Sequence, residues 1–447
     1  MVVLVLLLLF NSLAGLNALM DYRFTVGGLP INILDLLTFV GAGLALITRR
    51  RGENEQTHRF YVFILAIFFL SAFIGIVGAM SNGAILRWSA TALRNLLTIP
   101  LVAMIAYQIP YSYGRIKVVF YVLLWTSIIS AIVAMVFISH TTSEIAMNGT
   151  FNDFRYTKLG GDYGCSAAAT LLFSLAAGVW AFPRVMTILL MIACVLGSLA
   201  LPHRSEWLCS FATCAYALFF LNRKNFVRTF VVAAVASLLV GVAATVSISA
   251  ISKATGHDYM GYVTQRALSF LPGQDLSPNT NRPWETRMPG IERELALWMQ
   301  NPLLGRGFGI QEVDQLSHAG ASYHHNVWTS SLAEAGPVEL AAMLCLVFGL
   351  MVVGQKVVSA GVDQIYVLVG AMGSSMGVWG FLMSSTTLSL NWQCPAIIVA
   401  SMLGLLLRVR SLQLAQLRSL DSDADFAYQS DSDQSDAQQW VEHEMNY

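Results

Sequence analysis

The sequence predicts an all-α polytopic integral membrane protein of about twelve transmembrane helices. Three observations carry this. Of 447 residues, 56% are hydrophobic and only 12% are charged, about half the charged share of an ordinary soluble domain. Apolar runs of roughly 18 residues or more recur along the chain, and each is long enough to cross a bilayer. Basic residues also gather on alternate connections between those runs, as the positive-inside rule requires.

In chain order the predicted spans are 2–20, 31–48, 60–79, 94–109, 116–138, 165–182, 185–202, 207–221, 226–251, 326–353, 365–384 and 390–407. The first has no basic stretch before it and no clear small-residue cleavage site, so it reads as a retained helix rather than a signal peptide. With the N-terminus inside, fourteen Lys and Arg fall on inner segments and six on short outer loops. Arg49, Arg50, Arg51 and Lys117 belong to the first set; Arg23, Arg87, Arg94 and Arg204 belong to the second. Both termini are therefore expected in the cytoplasm.

Four regions follow: helices 1 to 9 over 1–251, a long outer loop over 252–325, helices 10 to 12 over 326–407, and a tail over 408–447. Beyond Arg418 the tail holds eight acidic residues, from Asp421 to Glu444, and no Lys or Arg. Rich in Ser, Asp and Gln and poor in aliphatics, it is expected to be disordered in the cytoplasm, with room for an assembly partner. The six cysteines lie in or beside apolar spans, with no C-x-x-C pair and no spacing to histidine that suggests zinc. Nothing in the chain reads as a nucleic-acid site.

The outer loop Lys253–Tyr323 is too long for a connector, and loops of that length carry function or are disordered. Within it, Arg287 to Gln300 has helical spacing. Ile291, Leu295, Trp298 and Met299 make one apolar stripe, and Arg293 and Glu294 lie off it. Asn301-Pro302 ends the segment. Too short to span, it is expected to lie flat on the outer face, with Trp298 at headgroup depth and Arg293 toward an aqueous cavity. The stretch Gly305-Arg306-Gly307-Phe308-Gly309 follows; three alternating glycines allow close backbone approach to a ligand, but taken alone they read more readily as a flexible turn.

Next comes Tyr323-His324-His325-Asn326, where the loop re-enters an apolar helix. Histidine titrates near neutral pH without special help, so His325 suits proton transfer at the lipid–water boundary. Adjacent histidines on a helix point about 100° apart and seldom share one ion, so no metal and no cofactor is expected. Glu334 and Glu339 follow on the same helix. Carboxylates at membrane depth are costly and are functional candidates by default. Between two earlier spans, His203-Arg204-Ser205-Glu206-Trp207 sets Arg204 at a helix mouth on the same side.

Together these pieces resemble the O-antigen ligase and Wzy-type polysaccharide polymerase superfamily. Arg204 in His203-Arg204-Ser205-Glu206-Trp207-Leu208 is similar to the family's Ser-Arg-x-x-Trp-Leu position, with histidine in place of serine. Arg293, Trp298 and Asn301-Pro302-Leu303-Leu304-Gly305-Arg306-Gly307 resemble its Arg…Trp…Asn-Pro-Leu-x-Gly-x-Gly stretch. His325-Asn326, nine residues and Gly336 resemble its His-Asn-x9-Gly element, and Glu334 matches a family carboxylate. The ligase form continues with Gly, Thr or Tyr where this chain has Glu339.

The resemblance implies a metal-independent inverting glycosyltransferase in the bacterial inner membrane. It would take a glycan from undecaprenyl diphosphate, the lipid-linked donor, and pass it to an acceptor hydroxyl at the periplasmic face. The residues suit that chemistry. Arg204 and Arg293 can meet the charge that develops on the leaving diphosphate. His325 can take the acceptor's proton, with His324 a weaker candidate by adjacency. Asn326, Arg306, Glu334 and Trp298 are the expected substrate-binding groups. A polymerase uses another repeat unit as acceptor and a ligase uses lipid A–core; Glu339 favours the polymerase. The competing class is a polytopic transporter or flippase, which would place ionisable groups or broken helices near mid-membrane.

Overall fold

The computed structural model describes residues 1–14, 24–26, 29–47, 55–84, 86–108, 110, 112–148, 161–200, 204–222, 226–255, 261, 264, 268, 283–311, 326–385 and 393–444. Helix α1 (Val2–Ala14) precedes the strands β1 (Phe24–Val26) and β2 (Leu29–Ile31). Four helices follow: α2 (Ile33–Ile47), α3 (Glu55–Ser81), α4 (Leu86–Gln108) and α5 (Tyr113–Asn148). The middle of the chain forms α6 (Gly161–Ala177), α7 (Arg184–Ala200), α8 (Arg204–Tyr216) with a π-helical turn at Ala217–Leu221, and α9 (Phe226–Thr255). The last four are α10 (Pro283–Met299), α11 (Val327–Ala360), α12 (Gln364–Ser384) and α13 (Gln393–Glu444).

The described residues are overwhelmingly helical, consistent with the all-α expectation, and include a short antiparallel strand pair. Phe24 pairs with Ile31 and Val26 with Leu29 in an antiparallel hairpin. In the sequence, Gly27-Gly28 between two apolar runs is a hairpin signal. Among the described residues, seven helices are long and apolar enough to cross a membrane. Five shorter apolar helices, Val2–Asn11, Ile33–Ile47, Gly164–Ala177, Arg184–Ser198 and Trp207–Leu221, stand at the remaining expected positions. Large apolar side chains face outward, with Phe73 on α3 at 65% exposure and Val227 on α9 at 77%. So many exposed large apolar side chains suit lipid better than water.

Small residues bring the inner helices together. A Cβ on Gly354 of α11 would lie 2.6 Å from the Gly370 carbonyl of α12, and one on Gly404 of α13 would lie 2.3 Å from the Ala103 carbonyl of α4. Close backbone approach of this kind drives helix association where lipid removes the hydrophobic incentive. Helices α11 and α12 are joined by a short turn. Gly361, at φ 62°, ends the first, and the Asp363 carboxylate caps the second by accepting from the Ile365 N–H at 2.7 Å.

The helices depart from the expected bounds in three places. Helix α4 begins at Leu86 rather than near 94, so Arg87 and Arg94 lie inside it. Arg94 is tolerated there because Asp35 of α2 faces it at 3.7 Å. Secondly, the boundary at 407 falls within a continuous buried element. Arg408 is 1% exposed, its Nε donates to the Tyr107 carbonyl at 2.8 Å, and its guanidinium lies 4.6 Å over the Tyr107 ring. Gln413 Nε2 donates to the Val357 carbonyl at 3.2 Å. Thirdly, α13 continues as helical backbone through the acidic stretch to Glu444. From Arg408 onward the sequence contains neither Gly nor Pro, so no strong helix breaker interrupts it.

Cross-links place several helix ends together at one end of the bundle. Asn32 Nδ2, before α2, donates to Gln393 Oε1 at the start of α13 (2.8 Å). Asn326, before α11, donates through Nδ2 to the Ser385 carbonyl just after α12 (3.3 Å). Ser89 in the first turn of α4 donates to the Phe308 carbonyl in the segment between α10 and α11 (2.9 Å). The candidate site lies at this end.

Candidate active site

Helix α11 is broken within its first third. Pro337 has no N–H, so the Ala333 carbonyl loses its helical donor. Ala335 (φ −127°, ψ 19°) and Gly336 (φ 70°, ψ −156°) leave helical geometry altogether, which frees the Glu334 carbonyl as well. Gly336 is at a backbone conformation that side chains resist. Bare carbonyls at membrane depth are expensive, so something must satisfy them.

The glycine-rich segment does so. Arg306 donates its backbone N–H to the Ala333 carbonyl at 2.7 Å, and Gly307 donates to the Glu334 carbonyl at 2.8 Å. On its other side the same segment grips α3 and α4. Phe308 N–H donates to the Gly75 carbonyl at 3.1 Å. Asn82 Nδ2 donates to the Arg306 carbonyl at 2.8 Å. Phe308 itself is fully buried, its ring against Gly75. Gly305, Gly307 and Gly309 all have positive φ. At Gly307, φ is 98° and a Cβ would lie 1.9 Å from the Ala79 nitrogen. This is a wedge locked between α3 and the break in α11, not the flexible turn that the glycines alone allowed. The sequence held one further signal, the Gly75-x-x-Gly78 pair on α3 that receives it.

Helix α10 leads into the wedge. It spans Pro283–Met299, four residues longer at its start than the apolar periodicity suggested. Beyond it the chain turns sharply: Asn301 N–H donates to the Trp298 carbonyl at 2.9 Å and Gly305 N–H to the Asn301 carbonyl at 2.9 Å. Trp298 Nε1 donates to the Pro302 carbonyl at 2.8 Å, which ties the indole across that turn. The face buried against α11 is not the expected stripe. Gly290, Glu294 and Leu297 are buried, Ile291, Leu295 and Trp298 are half-buried, and Met299 is exposed. Glu294 goes inward because the Thr329 hydroxyl, on the first turn of α11, donates to its Oε2; a buried carboxylate needs such a donor. Leu297 meets Ile310 and Ala333 beside the wedge. Arg293, adjacent to Glu294, is half-buried.

Asn326 caps α11. Its Oδ1 accepts from the Trp328 N–H at 2.9 Å and the Thr329 N–H at 3.4 Å, and its Nδ2 reaches Ser385 as above. Trp328 Nε1 donates to Ser385 Oγ at 2.9 Å, and its ring lies 5.6 Å from that of Phe381. Both faces of the Asn326 amide thus hold the start of α11 against the end of α12. Deeper in the same helix, Glu334 is 8% exposed and Glu339 2%. Glu339 Oε2 has no hydrogen-bond partner among the described residues. Gln311 Nε2 donates to Ser330 Oγ at 2.7 Å.

Arg293, Trp298, Arg306, Asn326 and Glu334 are thus carried by three packed elements: α10, the wedge and the first third of α11. The side chain of Arg306 turns back to Gln300, donating through Nη1 to Oε1. Arg204 opens α8. His324 and His325 lie outside the described residues; Asn326, next to His325 in the chain, stands at the assembled end. Sequence reasoning missed Glu294, Asn82 and Ser89, none of which carries a recognisable pattern of its own. No protein-family model matches the chain, and no curated protein matches it.

A second polar group stands at the same end. Asn32 and Asp35 cap α2 reciprocally, Asp35 N–H donating to Asn32 Oδ1 and Asn32 N–H to Asp35 Oδ2, each at 2.9 Å. Gln393 Nε2 donates to Asp35 Oδ1 at 2.6 Å. The carboxylate is 3% exposed and Arg94 27%.

Proposed function

We propose that this chain is a membrane glycosyltransferase with twelve spans and both termini in the cytoplasm of a bacterial cell. It moves a glycan from undecaprenyl diphosphate to an acceptor hydroxyl at the periplasmic face of the inner membrane. The observation that carries the proposal is the interlock of the wedge with α11. Three sequence patterns, each weak alone, lie far apart in the chain. Through Arg306 N–H to Ala333 and Gly307 N–H to Glu334, the Arg293-to-Gly307 pattern docks on the described part of the His325-to-Gly336 pattern, from Asn326 onward.

The chemistry then divides by residue type. Diphosphate is a good leaving group and needs cationic stabilisation rather than a strong acid, which Arg293 and Arg204 supply as fixed forks. The acceptor hydroxyl needs a base, and His325 is that base. Glu334 and Trp298 serve as substrate-binding groups. The acceptor is a second lipid-linked repeat unit: a buried carboxylate, Glu339, stands where the ligase pattern has Gly, Thr or Tyr.

Reconstitution with one defined lipid-linked repeat unit, with and without lipid A–core, tests this. A ladder formed from the repeat alone is the expected result. Product that appears only with core present makes the chain a ligase. Movement of labelled lipid-linked sugar across vesicles with no new glycosidic bond overturns glycosyl transfer and makes it a transporter.

A further inference from the structure

A crevice of about 250 Å³ runs between α2 and α4 at the end of the bundle that holds the wedge. Asp35, Thr38 and Phe39 form one wall; Arg94, Leu97 and Leu101 form the other. Thr91 and Thr98 also line it, their hydroxyls donating to the Arg87 and Arg94 carbonyls of their own helix; the rest of the lining is apolar, and Phe39 is 59% exposed. The other polar groups are the Asp35–Arg94 pair and Thr38. Arg94 is 27% exposed, whereas the carboxylate it faces is buried and already accepts from Asn32 and Gln393. The guanidinium is therefore the more exposed member of the pair. Thr38 is 3% exposed, and its hydroxyl has no hydrogen-bond partner among the described residues.

We infer that this crevice is a lipid site, holding the phosphate-proximal isoprenoid segment of a polyprenyl phosphate, with Arg94 facing the phosphate. The choice of lipid rests on the glycosyltransfer proposed above; the crevice does not. Its size fits one chain segment, since it falls below the ~300–1,000 Å³ of sites that enclose a whole drug-sized ligand. A phospholipid with two acyl chains and a glycerol is bulkier at this depth. Charge complementarity favours phosphate, which arginine binds in a fixed fork. Continuity with the candidate site adds a second reason. Ser89, which holds the wedge through the Phe308 carbonyl, lies on the same helix, about 7.5 Å along the axis from Arg94 at 1.5 Å per residue. A chain lying in the crevice with its phosphate at Arg94 directs its sugar toward the wedge.

Photolabelling tests the inference on the full chain in phosphatidylcholine nanodiscs with no acceptor present. The probe is a polyprenyl phosphate with a diazirine on the isoprene nearest the phosphate. Adducts are expected on residues 31–39 and 90–101. Excess unlabelled polyprenyl phosphate should suppress them, and equal phosphatidylglycerol should not. Leu97→Trp, which fills the crevice, and Arg94→Lys, which keeps the charge beside Asp35 but loses the fork, should each lower labelling, the second by about tenfold. Adducts elsewhere, or equal competition by phosphatidylglycerol, overturn the inference. So does unchanged labelling in a folded Leu97→Trp protein. Labelling at α2 and α4 in a chain that forms no glycosidic bond keeps the crevice and overturns the reaction; transfer with labelling elsewhere overturns the crevice alone.

Discussion

Gly307 donates its backbone N–H to the carbonyl of Glu334 at 2.8 Å, in the helix beyond the histidine pair. The bond replaces one that α11 gives up at its Gly336-Pro337 break. Neither partner is a catalytic candidate through its backbone, yet the bond fixes where the candidate side chains stand.

Replacing Gly307 with alanine should be among the most damaging small changes in the chain. The positive φ alone costs about 1–3 kcal/mol, and the added Cβ overlaps the Ala79 nitrogen. Gly83 is the control: its φ is 68° but nothing lies within 4 Å of a Cβ there, so Gly83→Ala should carry only the backbone cost. Thermal unfolding of both variants in detergent measures the difference; equal losses would show that the wedge is not close-packed.

Glu294 and Thr329 should be energetically coupled. A hydrogen bond to a charged group contributes about 1.5–3 kcal/mol. Stabilities of Glu294→Gln, Thr329→Val and the double variant form a cycle that isolates the coupling. Purely additive losses would mean that the carboxylate is satisfied by other groups.

Asn326→Ala should lose about 0.5–2 kcal/mol through the missing cap. Asn326→Asp keeps the acceptor for Trp328 and Thr329 but loses the donor to Ser385, so it should recover most of that stability. Calorimetry reports the cap and turnover of a lipid-linked repeat reports any further role. An aspartate variant that is stable but inactive assigns the amide to substrate.

His325→Ala, Arg204→Ala and Arg293→Ala should each abolish product while the protein still reaches the membrane. Product analysis beside a membrane-fraction immunoblot checks both halves. Full activity in the His325 variant removes it as the base.

Truncation after Leu420 should leave activity and stability intact, because exposure rises from Gln416 to Ser419 after the buried run that ends at Gln413. Truncation after Leu407 should not, since it removes Arg408 from Tyr107. Expression and unfolding of the two shortened chains separate these outcomes.

The helices were legible because long apolar runs have few alternatives in a bilayer. The site was legible in parts only. Asn326 stood in a recognisable string, but its partner Ser385 did not. The buried face of α10 was misread because Glu294 looks polar until Thr329 is seen beside it. The glycines of the wedge looked flexible because Gly75, Gly78 and Asn82, which confine them, lie more than two hundred positions earlier. Arg94 looked like a loop residue until Asp35 was placed opposite.

The wedge also bears on biogenesis. Residues 300–311 leave the ribosome before α11 does, yet they supply the donors for the Ala333 and Glu334 carbonyls. Until they dock, α11 would enter lipid with those two acceptors bare, and hydrocarbon offers them nothing. Stable placement of this helix among the others is therefore tied to the docking of a segment that precedes it in the chain.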